Sequence, residues 1–358
     1  MKILVIQQKM IGDVLVSTML CERLKKYMPE SEIHYLINTN TEAVVTNNPH
    51  VDRILFFKDE YRNSKWSFYT FLKGITRENY DVVIDVYGKL ESMLISLFSK
   101  AKFKISYEKW YSKPIYTHTF KYITTGNTDL GLAIENRLRL LKPLIDEAEE
   151  KINPPKVYLT DDEILNARSF LEKNSVDLSK PIIMMNILGS GINKTYPISY
   201  MSEVVDSVAQ KGEFTILFNY MPSQIMKAKE LYDLCSPKSK TLIKFDVFTS
   251  SLRSFLGVLH HCNALIGNEG GAINMAKALN VPTFSIFSPW IRKAGWETFK
   301  NNDSNISVHL NDYEPLLIQS KSRKQLKKDS RNLYTKFKPS FFNEKIAHFL
   351  ETKILTNE

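Results

Sequence analysis

The chain has 358 residues, room for two domains of ordinary size, and its 43% hydrophobic content is enough for two cores. No run of eighteen apolar residues appears, and the opening MKILVIQQKMIGDVLV lacks the layout of a signal peptide, so the expectation is a cytoplasmic protein without a membrane span. The net charge of +9 speaks for anionic partners such as phosphates, nucleic acid or an anionic membrane.

In chain order, KILVIQ reads as a strand rich in branched apolar residues. A helix follows it, with Val16, Leu20 and Leu24 at helical spacing. EIHYLIN, RILFF and YDVVIDVYG are further strands. The stretch 99–122 interleaves Lys100, Lys102, Lys104, Lys109, Lys113 and Lys121 with Phe103, Tyr107, Trp110, Tyr111, Tyr116 and Phe120. It is either a solvated face or a surface that meets anionic head groups or phosphates. INPPKVYLTDDE breaks the pattern, and a helix is predicted over 161–174. A second series follows: strands PIIMMNILGS, EFTILFN, TLIKFD, ALIGN and PTFSIFS, with helices at 199–211 and 251–262. Next comes KSRKQLKKDSR at 321–331, with six bases and one acid. The tail FNEKIAHFLETKIL places Ile346, Phe349 and Leu350 at helical spacing, so it packs on one domain or bridges both.

This alternation predicts an α/β protein with parallel sheets covered by helices. The expected limits are 1–160 for an N-terminal domain, 161–335 for a C-terminal one and 336–358 for a terminal helix. Two such domains leave a cleft at the carboxyl ends of their strands, where open α/β sheets bind ligands. Cys21, Cys235 and Cys262 read as reduced and structural, and neither the cysteines nor the seven histidines have metal-ligand spacing.

Three strand-end loops draw attention. In QQKMIGDVLV, Gly12 permits a tight turn and Asp13 stands at the helix start, either as an N-cap or as a general base for an incoming hydroxyl. In NILGSGINKTYP, Gly189, Ser190 and Gly191 form a flexible loop. Lys194 follows it, either solvated or a point charge for a leaving diphosphate. In ALIGNEGGAINMAKAL, Gly270 and Gly271 make a plain turn or else leave the amides of 270–273 bare at a helix N-terminus, where an anion is favoured. Glu269 suits such a place only if it meets sugar hydroxyls or faces away, and Asn274 either donates to phosphate or caps.

On these stretches the sequence resembles glycosyltransferase family 9, the heptosyltransferases of lipopolysaccharide core synthesis. MKILVIQQKMIGDVLVSTMLCERLKKYMPESEIHYL, NKTYP and LIGNEGGAINMAKALNVPTFSIFSP are similar to the family's opening, its Lys-aromatic-Pro stretch and its nucleotide-binding signature. The resemblance implies a GT-B fold, two Rossmann-like βαβ domains facing each other across a cleft. It also implies an inverting transfer of heptose from an ADP-sugar, with no metal and no cofactor. Asp13 then matches the base, with Gly12 beside it. Lys194, Ser190, Gly191, Glu269, Gly270, Gly271, Ala272 and Asn274 fall on the donor side. Where the family has Asp, Thr and Gly followed by His, this chain has Glu269, Gly270, Gly271 and Asn274, and Gln224 stands where an acid commonly holds the ribose. The expected partners are the nucleotide-sugar, a lipid-linked anionic saccharide met by Lys102 and Lys104, and the inner face of the cytoplasmic membrane, to which the protein is peripheral. No recognition motif for nucleic acid accompanies the charge, so none is expected as a partner. The alternative reading is a non-catalytic GT-B-like protein that holds a nucleotide or phosphosaccharide.

Overall fold

The computed structural model describes residues 1–126, 128–146, 152–299 and 304–355, so residues 356–358 of the expected C-terminal segment lie outside the described residues. The chain divides into two compact units, Met1–Tyr158 and Leu159–Glu358, each built on its own parallel sheet.

The first unit contains β1 (Lys2–Ile6), β2 (Glu32–Asn38), β3 (Arg53–Phe57), β4 (Val82–Asp85), β5 (Phe103–Tyr107) and β6 (His118–Phe120). Their order across the sheet is β3-β2-β1-β4-β5-β6. Helices α1 (Ile11–Tyr27), α2 (Lys65–Arg77), α3 (Leu90–Phe98) and α4 (Leu132–Leu138) accompany them. Ile3, Leu4, Val5 and Ile6 are all fully buried, as expected of a central parallel strand covered on both faces. Ile6 sits level with Leu36 on one side and Asp85 on the other. The chain thus builds outward from β1 to β3 and then returns to the far side of β1 with β4. The carboxyl ends of β1 and β4 are therefore the switch point at which such sheets open a crevice.

The second unit repeats the plan with β7 (Ile182–Asn186), β8 (Thr215–Asn219), β9 (Ala264–Asn268), β10 (Thr283–Ile286) and β11 (Asn305–Val308), in the order β11-β10-β9-β7-β8. Its switch point lies between β7 and β9. Helices α5 (Asp161–Lys173), α6 (Ile198–Ala209), α7 (Ile225–Leu234), α8 (Pro237–Leu242), α9 (Leu252–His260), α10 (Gly271–Ala278) and α11 (Asn343–Lys353) belong to this unit. Thr160 and Glu163 close a capping box on α5, which fixes where that helix starts. The tail helix α11 sends Ile346, Phe349 and Leu350 into this unit's core, where Phe349 meets Phe284 at a centroid distance of 5.9 Å.

Three elements differ from the sequence reading. TLIKFD is not a strand. Ser236 caps α8 and Pro237 opens it, so the helix takes up Thr241 and Leu242 and leaves Ile243 a single bridge to Ile216. The stretch 99–122 carries the edge strands β5 and β6, and Ile105 and Tyr116 in it are buried. Trp110 and Tyr111 remain 89% and 52% exposed. Strand β11 was not foreseen either. All three strands are short and lie at or next to a sheet edge, where apolar runs are brief.

Candidate active site

Asp13 is the third residue of α1 and Met10 holds the N-cap position, so capping is not its role. Its Oδ1 accepts from Nη2 of Arg137 at 2.7 Å, a partner 124 residues further along on α4. Arg137 also donates from Nε to Ser17 Oγ at 2.9 Å and from Nη1 to the Ala133 carbonyl at 2.7 Å. Ser17 in turn donates to the Asp13 carbonyl at 2.8 Å. The arginine side chain is 5% exposed and that of Asp13 29%. Burial works against the guanidinium's charge, but Asp13, helped by Tyr107 and Tyr122, outweighs it and holds the arginine above its ordinary pKa. Asp13 is thus oriented through one oxygen, and Oδ2 meets no donor among the described residues. Gly12 is buried at the second position of α1, so it stands inside the helix rather than in the tight turn expected of it.

At the neighbouring strand end, Asp85 accepts from the Gly88 amide at 2.7 Å and the Tyr116 hydroxyl at 2.6 Å. Burial raises its pKa. Both oxygens are occupied, so this carboxyl fastens the loop after β4. Lys102 and Lys104 fall elsewhere. They precede or begin β5, with Lys104 level with Val83 in the body of the sheet, whereas the Asp13 loop follows the carboxyl end of β1. The structure does not bring them to Asp13.

In the second unit, the loops after β7 and β9 meet at the switch point through asparagines. Asn268 Oδ1 accepts from the Tyr196 amide at 2.7 Å, and its Nδ2 donates to the Asn186 carbonyl at 3.0 Å. Asn186 Nδ2 donates back to the Asn268 carbonyl at 2.6 Å, and Asn186 Oδ1 accepts from Asn219 Nδ2 at 2.8 Å. The side-chain amides of the buried Asn186 and Asn268 are satisfied at both ends, and with Asn219 they hold the three strand ends together. Gly189 lies where a Cβ would come within 2.1 Å of the Lys194 carbonyl, which explains that glycine by close approach. Gln224 braces the same loop, donating from Nε2 to the Gly189 carbonyl at 3.0 Å. Ser190 and Gly191 are exposed above it.

Lys194 Nζ lies 3.2 Å from Glu269 Oε1, an ion pair rather than an aligned hydrogen bond. The Glu269 side chain is 8% exposed and that of Lys194 29%. The acid beside the expected anion site is therefore neutralised by a cation. Gly270 follows with φ +155°, and a Cβ there would meet nothing within 4 Å. The residue before α10 thus needs glycine for its backbone angle and faces open space. Among the described residues no acceptor meets the N–H groups of Gly270, Gly271, Ala272 or Ile273, while Asn274 N reaches the Gly270 carbonyl at 3.4 Å. Asn274 Nδ2 turns back to that same carbonyl at 3.4 Å, so it neither caps the amides nor points outward as a donor.

Arg137, the asparagine cluster and Trp290, whose Nε1 donates to the Asn193 carbonyl at 2.9 Å, escape the sequence reading. Their partners lie far away in the chain, so no local pattern marks them. Cys21, Cys235 and Cys262 are buried free thiols, and burial pushes their pKa values up. Among the described residues no group of three or more His, Cys, Asp or Glu side chains is placed to hold a metal ion, and no helix is long and apolar enough to cross a membrane.

Comparison with known proteins adds the following. The family described as glycosyltransferase family 9 (heptosyltransferase) matches residues 68–325. Lipopolysaccharide heptosyltransferase 1 of Campylobacter coli is 25% identical over 318 residues, covering 86% of this chain and 89% of that protein. The crystal structure of a family 9 glycosyl transferase from Veillonella parvula superposes with a TM-score of 0.73 at 17% identity, over 94% of this chain and 97% of the other. An Escherichia coli heptosyltransferase solved with ADP gives 0.66 at 15% identity, over 86% and 93%. These likenesses make the fold GT-B.

Proposed function

The chain belongs to glycosyltransferase family 9, and from that premise we propose that it moves a heptose from an ADP-sugar onto a lipopolysaccharide core or related saccharide, in one inverting, metal-independent step. Membership sets it among enzymes and apart from non-catalytic binding modules. The observation that carries the donor side is the row of N–H groups at Gly270–Ile273 without acceptors, beside Lys194. A diphosphate brings several oxygens and at least two negative charges, which suit bare amides at a helix start and a mobile ammonium. The name of the ADP-bound relative supports ADP as the nucleotide.

In this reaction the acceptor hydroxyl attacks the anomeric carbon, its proton passes to Asp13 Oδ2, and the bond from that carbon to the phosphate oxygen breaks. The electron pair leaves with the diphosphate. Arg137 holds Oδ1 and so aims Oδ2. Charge grows on the diphosphate as the bond lengthens, so the amides and Lys194 bind the transition state more strongly than the bound donor. Glu269, paired with Lys194, stands beside the same amides and meets donor hydroxyls while the lysine contacts phosphate. The first unit takes the acceptor, an anionic saccharide on a lipid anchor, and the enzyme works at the cytoplasmic face of the inner membrane.

Asp13→Asn tests this reading. General-base catalysis of this kind contributes at least about a hundredfold, so turnover falls by that factor while ADP affinity stays within about threefold. An Asp13→Asn enzyme with near-normal turnover removes Asp13 from the mechanism. A thermal-shift series of nucleoside diphosphates in which ADP has no advantage removes the ADP-sugar.

A further inference from the structure

Three cations converge on one indole in the second unit. Lys194 Nζ lies 5.8 Å from the Trp290 ring centroid, the Arg323 guanidinium 5.4 Å and Lys327 Nζ 5.2 Å. The ring is fixed by its Nε1 donating to the Asn193 carbonyl, which also accepts from Ser288 Oγ at 2.6 Å. Asn193 immediately precedes Lys194, so Trp290 and that lysine share one support. Arg323 and Lys327 come from a single helical turn, Arg323–Lys328, capped by Ser322 and Gln325. Leu326, 9% exposed, anchors that turn on the core, and Lys321 pairs with Asp329 at 2.5 Å across it. Residues four apart share a helix face, so Arg323 and Lys327 are laid on the ring together.

Neither Arg323 nor Lys327 has an acidic partner among the described residues, whereas Lys194 has Glu269. Like charges four apart on a helix repel, and the face of one ring attracts each exposed cation only weakly. A group of three cations gathered on one ring, with one acid paired to them, therefore carries a surplus of positive potential. It is tied to the start of α10 through Lys194, which also pairs with Glu269, the residue directly before Gly270. The same turn is the most basic part of the sequence, KSRKQLKKDSR.

We propose that Arg323 and Lys327, gathered with Lys194 around Trp290, form a second phosphate-binding subsite adjoining the α10 amides, occupied by a phosphate group of the nucleoside diphosphate. The proposal rests on the donor reading above and adds two residues to it. The ligand chemistry is a phosphate carrying at least one full negative charge. A phosphorylated saccharide acceptor carries the same chemistry, so the test separates the two sources.

The experiment measures binding of ADP, AMP and inorganic pyrophosphate by titration calorimetry at low and moderate salt, with the full chain, with Arg323→Gln/Lys327→Gln and with Lys194→Gln. Both residues of the double variant are exposed, and glutamine keeps helix propensity, so the turn stays folded. Charge-assisted contacts to phosphate are the strong ones, so the double variant loses about tenfold or more for ADP and pyrophosphate, and the salt dependence flattens. AMP loses less than about threefold, because it lacks the outer phosphate. If Lys194→Gln weakens ADP while the double variant binds it normally, the subsite is overturned and the donor reading stands. If the double variant weakens only glucose 6-phosphate added to the ADP-saturated enzyme, the assignment to the nucleotide is overturned in favour of the acceptor. If the parent chain binds neither ADP nor pyrophosphate, both readings fall.

Discussion

Arg137 is the residue on which Asp13 depends. A buried guanidinium whose Nη2, Nε and Nη1 hold a carboxylate, a hydroxyl and a carbonyl fixes the Asp13 side chain more firmly than the start of α1 does. Lysine at 137 keeps the charge and loses the fork. Arg137→Lys is therefore expected to lower kcat by about tenfold or more with little change in donor KM, the pattern of a displaced group acting in the transition state. An unchanged kcat rules out this positioning role. Gly189 makes a complementary case on the donor side. A methyl group there has to displace the Lys194 backbone, so Gly189→Ala is expected to cost about 1–3 kcal/mol in denaturant unfolding and to weaken ADP binding. Normal stability with normal affinity shows that the loop yields without consequence. As candidates, Asp13, Lys194 and the 270–273 amides could be picked out in the sequence, because glycine beside charge at the end of an apolar run is a local pattern. Arg137 could not, since nothing in GLAIENRLRL sets it apart from a surface arginine until α4 is folded against α1.

Among the elements, α10 joins a start that offers free amides to an end held by Lys277. Its ammonium, four residues from Ile273, donates to the Thr298 carbonyl at 3.2 Å. Burial lowers the lysine pKa from 10.5 to about 8, only partly opposed by Glu297. Between those values the folded chain binds fewer protons at this site than the unfolded one, so stability rises with pH across that window. Relative to Lys277→Met, the parent protein should gain up to about 3 kcal/mol between pH 8 and 10.5. Parallel stability curves for the two proteins contradict a depressed lysine. The central strands could be read from the sequence because burial on both faces leaves near-continuous apolar runs. The edge strand β6 and the short β11 could not, because three or four half-buried residues leave too little pattern. In TLIKFD, a Ser-Pro helix start just upstream overrode a strand-like run.

For the molecule as a whole, two groups of bases stand out within the charge of +9. One is the group around Trp290. The other is the edge of the first unit, where Lys102, Lys113 and Lys121 are exposed alongside Trp110 and Tyr111. Interfacial aromatics next to lysines suit an anionic lipid surface, with each basic residue adding about 1 kcal/mol close to it. In sedimentation with vesicles containing about a third phosphatidylglycerol, binding is expected at low salt, lost at high salt and weakened by Trp110→Ala/Tyr111→Ala. Equal binding to neutral vesicles contradicts the electrostatic reading.

The position of α11 also bears on how the protein is made. Phe342, Ile346, Phe349 and Leu350 close the same core as Tyr196 and Phe284. Until residue 350 has left the ribosome, the half of the chain bearing the 270–273 amides has no lid for its largest rings, and a nascent chain paused before that point offers them to chaperones or to other unfinished copies. The core cluster around Leu4, Ile6 and Phe57 is built within residues 4–101, so it can form while the rest is still being translated.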